Sequence, residues 1–263
     1  MTTVGAVDGI WRYPVKSMRG EELGEAFMGF SGVYGDRLDA FKSSACEKGF
    51  PYLTGREQPQ MLLFRPVFRE PTLALRLEYL AEAEREAPGL NPCFDNPDNL
   101  ALEIETPSGE ILSIDDPALA RLLRQGLSDG HDLTLLRSDR ALTDCRPISL
   151  ISTQTVQQLG DEIGEPLDPR RFRANLYLKF GSGGGFGEDD FVGRTLDVGP
   201  KVRVSILERD PRCKMITLDP DTAEMNPKVL RKVGRGHGGR AGVYGAVLVE
   251  GMVHRGDTIE LLD

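Results

Sequence analysis

The sequence predicts a mainly β fold with a few helices (α+β), divided into two β-rich parts. Two observations carry that prediction. Apolar stretches are short and bounded by Gly or Pro, as strands tend to be, and only a few carry helical spacing. The 30 glycines in 263 residues add many turn points, which favours a barrel or sandwich over a parallel α/β sheet.

Taken in order, Thr3–Val15 reads as a strand with a kink at Gly9, followed by strands at Leu38–Ser43, Met61–Val67 and Leu73–Tyr79. Leu80–Glu86 is a helix candidate leading into the turn residues Pro88-Gly89 and Asn91-Pro92. Leu100–Glu105 and Ile111–Ile114 flank Pro107-Ser108-Gly109 as a hairpin. Asp115 or Asp116 can cap a helix with Pro117 in its first turn, Leu119, Leu122 and Leu123 at helical spacing, and Gly126 at its end. The boundary between the parts is placed at this helix, giving 1–118 and 119–263. The second part opens with strands at Leu133–Arg137 and Pro147–Ile151. Ser152 then caps a helix with Val156, Leu159 and Ile163 on one face. Further strands are expected at Ala174–Phe180, Thr195–Val198, Val202–Leu207, Lys214–Leu218, Tyr244–Glu250 and Thr258–Leu262, with flexible loops at Gly181–Gly187 and Gly234–Gly242.

Net charge is −9. An acidic chain argues against nucleic-acid binding, which needs a basic surface to displace counterions. Arginines nevertheless cluster at Arg170–Arg173, Arg209–Arg212 and Arg231–Arg240, a pattern that suits a small anionic ligand or ordinary surface pairing. Apolar runs fall far short of the roughly 20 residues that cross a bilayer, and the N-terminus shows no secretory pattern. A cytoplasmic protein with no membrane association is expected. Cys46, Cys93, Cys145 and Cys213 form no Cys-x-x-Cys pair, and the three histidines are scattered, so a zinc or iron–sulfur site built from a local motif is not expected.

Four segments carry candidate chemistry. Cys213 is flanked by Arg212 and Lys214, with Arg209 near, where positive charge would favour a metal-binding thiolate; on local sequence alone a structural or inert thiol is the more common case. Arg171-Phe172-Arg173-Ala174-Asn175 puts guanidiniums and a carboxamide at a strand mouth, fit for a phosphate and a ring edge or for a solvated, ion-paired edge. Asp144 precedes a buried strand and can accept from a heterocycle or close an Asx-turn. Lys16-Ser17 after Tyr13-Pro14-Val15 presents an ammonium and a hydroxyl, either to a phosphate or to water. The glycine-rich Gly181–Gly187 lacks a P-loop ending and runs into Glu188-Asp189-Asp190, which repels phosphate.

Tyr13-Pro14-Val15-Lys16-Ser17, Gly35-Asp36-Arg37 and Thr54-Gly55-Arg56 resemble the N-terminal β-barrel region found ahead of MOSC domains. Asp144-Cys145-Arg146-Pro147, Phe172-Arg173-Ala174-Asn175, Arg212-Cys213 and Asp219-Pro220-Asp221-Thr222 resemble the MOSC domain itself, in matching order. The resemblance extends to the mitochondrial amidoxime reducing components and their bacterial relatives. It implies a MOSC β-barrel preceded by a β-rich, barrel-like N-terminal domain. It also implies a bound molybdenum cofactor (molybdopterin), with Cys213 as metal ligand and catalytic residue. Lys16, Ser17, Arg37, Arg173, Asn175 and Arg212 would contact the cofactor, and Asp144 would line the same pocket. The implied activity is reduction of N-hydroxylated compounds, hydroxylamines or amidoximes, with electrons from a separate ferredoxin, flavoprotein or cytochrome-type donor. A non-catalytic cofactor carrier or sulfur-handling protein is the alternative. Pro211 stands where the amidoxime reducers have a serine, which removes a hydroxyl and an N–H from the site. No lysine motif for pyridoxal phosphate is evident.

Overall fold

The computed structural model describes residues 1–86, 97–128, 131–138 and 141–262. Cys93 and the turn residues Pro88-Gly89 and Asn91-Pro92 lie outside the described residues.

The first half runs through β1 (Thr2–Arg12), β2 (Glu21–Leu23), β3 (Glu25–Gly29), β4 (Gly32–Val33), β5 (Asp39–Ser43), β6 (Arg65–Phe68), helix α1 (Leu80–Glu86), β7 (Leu102–Glu105), β8 (Ile111–Ser113) and α2 (Pro117–Arg124). The second half has β9 (Leu133–Arg137), β10 (Ile148–Ser152), α3 (Thr153–Ile163), β11 (Leu176–Phe180), β12 (Thr195–Val198) and β13 (Val202–Pro211). It continues with α4 (Pro227–Gly236), β14 (Arg240–Val249), β15 (Gly251–His254) and β16 (Thr258–Leu261).

Seven strands close into a barrel in the order β11-β10-β14-β13-β12-β16-β1, with β1 returning to β11. Neighbours pair antiparallel except β10 and β11. That parallel pair needs a crossover, and α3 supplies it. The first strand of the chain thus completes a barrel whose other six strands come from residues 148–261. Side-chain alternation fills the interior: Val202, Val204 and Ile206 of β13 point inward with Arg203 and Ser205 between them half-exposed. On β1 a register shift between Val7 and Gly9 lets Val7 and Ile10, three residues apart, enter the same core.

Three smaller sheets, β15-β3-β4, β5-β9 and β6-β7-β8, hold most strands of the N-terminal part, the first two with one strand each from the second half. Their core joins Val15, Met18, Phe41, Leu53, Met61 and Ile104 to Leu119 and Leu123 of α2. Asp116 caps α2 by accepting from the Ala118 N–H at 2.7 Å. Ser152 caps α3 through the Thr155 N–H at 3.0 Å. The buried Glu188 carboxylate adds to that N-terminus, accepting from the Ser152 N–H at 3.3 Å and the Thr155 hydroxyl at 2.9 Å. Anionic charge is favourable there, so the acidic end of the glycine-rich loop is a helix clasp. Val156 and Leu159 of α3 pack with Val229 and Val233 of α4.

Four sequence expectations are corrected. Met61–Val67 begins as a 3-10 turn over Pro59–Leu63, and its strand starts only at Arg65. Lys214–Leu218 is a 3-10 turn over Lys214–Thr217, which lets the chain bend sharply after Cys213. Leu73–Tyr79 forms turns, and its apolar residues Ala74 and Leu77 are buried without a strand partner. Gly234–Gly242 is the end of α4 and the start of β14, because the buried pair Val229 and Val233 holds the helix despite its glycines. Among the described residues, no helix is long and apolar enough to cross a membrane.

Candidate functional site

At one rim of the barrel, strand ends face loops of the N-terminal part across a cleft of about 770 Å³, its open mouth included. Its walls come from far-apart segments. The residues after β1 bring Lys16 and Ser17, and the turn before β5 brings Arg37. The turn Pro169–Phe172 and its exit bring Arg171, Arg173 and Asn175, and the end of β13 brings Asp210, Arg212 and Cys213. All eight residues singled out in the sequence line this cleft: Lys16, Ser17, Arg37, Asp144, Arg173, Asn175, Arg212 and Cys213.

Seven cationic side chains line it against two carboxylates, Asp144 and Asp210, in a chain whose net charge is −9. The cleft is therefore a local reversal of the molecule's charge. Backbone strain concentrates there too. Among the described residues five non-glycines adopt positive φ, and Ser17 (64°), Arg37 (47°) and Arg173 (51°) belong to the cleft. Left-handed conformations cost non-glycine residues on the order of 1–3 kcal/mol each and mark functional sites.

The cations are held by ion pairs, backbone carbonyls and an aromatic ring. Lys16 pairs with Asp144 and donates to the Leu142 carbonyl at 2.8 Å. Burial pushes the Lys16 ammonium below its usual range, against the pull of Asp144. For the half-exposed Asp144 partial desolvation works the other way, and Lys16 outweighs it, holding the carboxyl below the ordinary range. Arg37 pairs with Asp36, whose attraction overcomes burial and raises the guanidinium's pKa. Burial brings Arg173 down to about 10. Arg37 and Arg173 both lie on the ring of Tyr13, at 4.9 and 4.2 Å from its centroid. A neutral aromatic face holds two like charges in place without occupying their N–H edges. Arg37 also donates to the Arg173 carbonyl at 3.0 Å, and Arg173 to the Met18 carbonyl at 2.8 Å.

Arg212 donates to the carbonyls of Ala241 (2.7 Å) and Phe172 (2.8 Å) and pairs with Asp210 at 3.0 Å. Gly242 permits that approach: at φ 77° a Cβ there would lie 2.6 Å from the Leu150 carbonyl oxygen and 3.0 Å from Nη2 of Arg212. Cys213 is half-buried and free, at the head of the 3-10 turn. Two of the basic residues near it in sequence are engaged elsewhere. Lys214 donates to the Arg56 carbonyl at 2.8 Å, and Arg209 pairs with Asp189 at 2.9 Å. Positive charge reaches the cleft from Lys16, Arg37, Arg56, Arg146, Arg171, Arg173 and Arg212 instead.

Asn175 is occupied structurally: its side-chain oxygen accepts from the Ser149 N–H, and its NH2 donates to the Trp11 carbonyl, both at 3.2 Å. Sequence reasoning missed Tyr13, Ser149, Asp210 and Tyr244 as site residues. Asp210 had a usable signal, three positions before Cys213, whereas Tyr244 is one aromatic in an alternating strand with nothing local to mark it.

Residues 4–111 match the MOSC N-terminal beta barrel domain, and residues 137–260 match the MOSC domain. The chain belongs to the MOSC-domain family. The MOSC protein is similar to mitochondrial amidoxime reducing component 2 of Rattus norvegicus, 27% identical over 261 residues, covering 86% of this chain and 70% of that one. It is also similar to a molybdenum cofactor sulfurase of Drosophila willistoni, 31% identical over 137 residues, covering 51% of this chain and 16% of that protein. Among solved structures the YUAD protein of Bacillus subtilis matches at TM-score 0.48 and 14% identity, covering 98% of this chain and 95% of that one.

Proposed function

We propose that this MOSC protein binds the molybdenum cofactor in the cleft and acts as an oxidoreductase on N-hydroxylated compounds, with electrons from a separate donor protein. The observation that carries the reading is the convergence of Lys16, Ser17, Arg37, Arg173, Arg212 and a free Cys213 on one cationic cleft of an acidic chain. The donor set fits the group. Its phosphate and dithiolene are anionic, and Nη2 of Arg173 and Nε of Arg171 are buried there without a hydrogen-bond partner. Lys16, Ser17, Arg37 and Arg173 would hold the anionic portion, Cys213 would supply a thiolate to the metal, and Arg212 would fix the turn that presents it. When bound, the group supplies two-electron redox chemistry that no side chain provides. Tyr13 keeps Arg37 and Arg173 aimed at the ligand, and Asp144 fixes the charge of Lys16. The relatives named as amidoxime reducing components support the substrate class. The similarity to a molybdenum cofactor sulfurase, with a Cys213 only half-buried, supports the carrier or sulfur-handling alternative. A cytoplasmic location is part of the same proposal.

Molybdenum content of the purified protein and of Cys213→Ala, followed by amidoxime reduction with a chemical electron donor, tests the reading. The expected result is metal in the wild type, its loss or depletion in Cys213→Ala, and turnover by the wild type alone. Equal metal in both proteins would remove Cys213 from its role. Metal-loaded wild type without turnover would favour the carrier.

A further inference from the structure

α4 carries Lys228, Arg231, Lys232 and Arg235 at positions i, i+3, i+4 and i+7. At helical pitch that spacing gathers four cations into one arc of about 100°. Val229 and Val233 fall on another side of the helix, where they are buried. The four cations line a groove of about 810 Å³, its open side included, against one carboxylate, Glu162 of α3. Lys232 stands 4.0 Å from Glu162, which His237 already engages at 2.8 Å, and Lys228 stands 3.9 Å from Glu165. Arg231 and Arg235 are exposed and make no ion pair among the described residues. In a chain of net charge −9, such a face attracts a negatively charged surface that most of the molecule repels.

The buried side of the same helix leads to the candidate site. Val229 and Val233 share a core cluster with Ile216. Ile216 belongs to the 3-10 turn Lys214–Thr217, and Cys213 heads that turn. About one helix thickness, roughly 10 Å, therefore separates the basic face from the turn that presents the thiol. We propose that the basic face of α4 is the docking surface for an acidic redox protein, the separate electron donor of the reductase. This rests on the reductase reading.

A donor seated on α4 comes close to the Cys213 turn without entering the cleft, which stays open to substrate. The face is small and polar, as suits the weak, quickly released contacts of redox encounters, in which charge acts chiefly on the rate of association. Each reduction breaks one N–O bond, takes two electrons from the donor, which is oxidised, and takes two protons from solvent. The oxygen leaves as water. A ferredoxin carries one electron, so two dockings serve each reduction.

The double variant Arg231→Glu/Arg235→Glu and the milder Arg231→Gln/Arg235→Gln, in the molybdenum-loaded protein, test the surface. Benzamidoxime reduction is driven in parallel by reduced methyl viologen, by an acidic [2Fe–2S] ferredoxin and by an acidic flavodoxin. Viologen-driven rates are expected to stay at the wild-type level. With at least one protein donor, kcat/KM for the donor is expected to fall roughly tenfold in the Glu variant at low salt, and less in the Gln variant. Added salt is expected to slow the wild type with that donor and to leave the Glu variant nearly unaffected. Reversing Arg121 and Arg124 on α2 to Glu changes the net charge equally and is expected to leave donor kinetics unchanged. If the Glu variant does not fold, the Gln variant decides.

Donor kinetics unchanged in the α4 variants, or lost equally in the α2 variant, overturn the docking surface while the reductase reading stands. So does failure of both protein donors to drive the turnover that viologen supports. An equal fall in the viologen-driven rate assigns α4 to supporting the site and overturns docking as well. Binding to phosphatidylglycerol vesicles that the Glu variant loses, with donor kinetics unchanged, assigns the face to a membrane surface instead. Loaded wild type that never reduces benzamidoxime with viologen overturns the reductase reading and the donor's docking together.

Discussion

Asn175 shows how one side chain in a candidate site serves the fold. Its carboxamide joins the Ser149 N–H on β10 to the Trp11 carbonyl on β1, and its own N–H and carbonyl bond the same two residues at 2.8 Å. It is 1% exposed, so removing the amide strands two buried backbone groups. Asn175→Ala is expected to lower stability by about 1–3 kcal/mol, read as a fall in the urea midpoint of protein free of cofactor. A residue that only touched the cofactor would leave that midpoint unchanged. The residues of the cleft were legible to different degrees for a related reason. Lys16-Ser17, Arg37, Asp144, Arg173 and Arg212-Cys213 each sit in a short motif that resembles a family pattern. The part played by Asp210 depends on Ser149, 61 residues away, and that of Tyr13 on two arginines from other loops. Local sequence does not encode those meetings.

At the scale of elements, strands bounded by Gly or Pro were readable, and the strands at Leu133–Arg137 and Thr195–Val198 have the expected limits. The errors fell where tertiary contact overrides local preference. α4 contains Gly234 and Gly236 yet stays helical, since its buried valines pack on α3 and on the turn after Cys213. The β5–β9 pair carries a titratable weak point. Asp39 is fully buried on β5, neither carboxylate oxygen accepts a hydrogen bond, and Arg137 on β9 stands 3.8 Å away. Burial pushes its carboxyl up to about 6, with Arg137 opposing. A folded-state pKa above the unfolded value of about 3.9 means the native state binds the proton more tightly. Its contribution to stability is full below pH ~4, declines as pH rises and is lost above the folded value of about 6. Wild-type stability is therefore expected to drop relative to Asp39→Asn between those limits, by an amount on the order of 3 kcal/mol. Urea midpoints at pH 4, 5, 6 and 7 measure it. Parallel pH profiles for the two proteins would show that Asp39 titrates normally. The same strand holds the site, since the Asp39 carbonyl accepts from the Lys16 N–H at 2.8 Å.

For the whole molecule, what matters is that the first strand closes the barrel of the second half. β1 lies between β11 and β16, with Ile10 paired to Leu176 and Thr2 to Leu261. Without it both neighbours become unpaired edges, and Val7 and Ile10 vanish from the barrel core. Exposed strand edges next to an opened apolar interior invite aggregation rather than a smaller stable fold. The β5–β9 pair ties the halves a second time. A fragment of residues 119–263 is therefore expected to be insoluble, or to melt without a cooperative transition. The same fragment carrying residues 1–14 joined through a flexible linker is expected to recover solubility and a cooperative melt, although Lys16, Ser17 and Arg37 are still missing from its cleft. Far-ultraviolet circular dichroism melts of the two fragments provide the measurement. A cooperative melt for 119–263 alone would mean that the seven-strand closure is dispensable. The same topology places the site. β1 emerges from the barrel at its rim and leads within four residues to Lys16, so the strand that completes the barrel also delivers the first cation of the cleft.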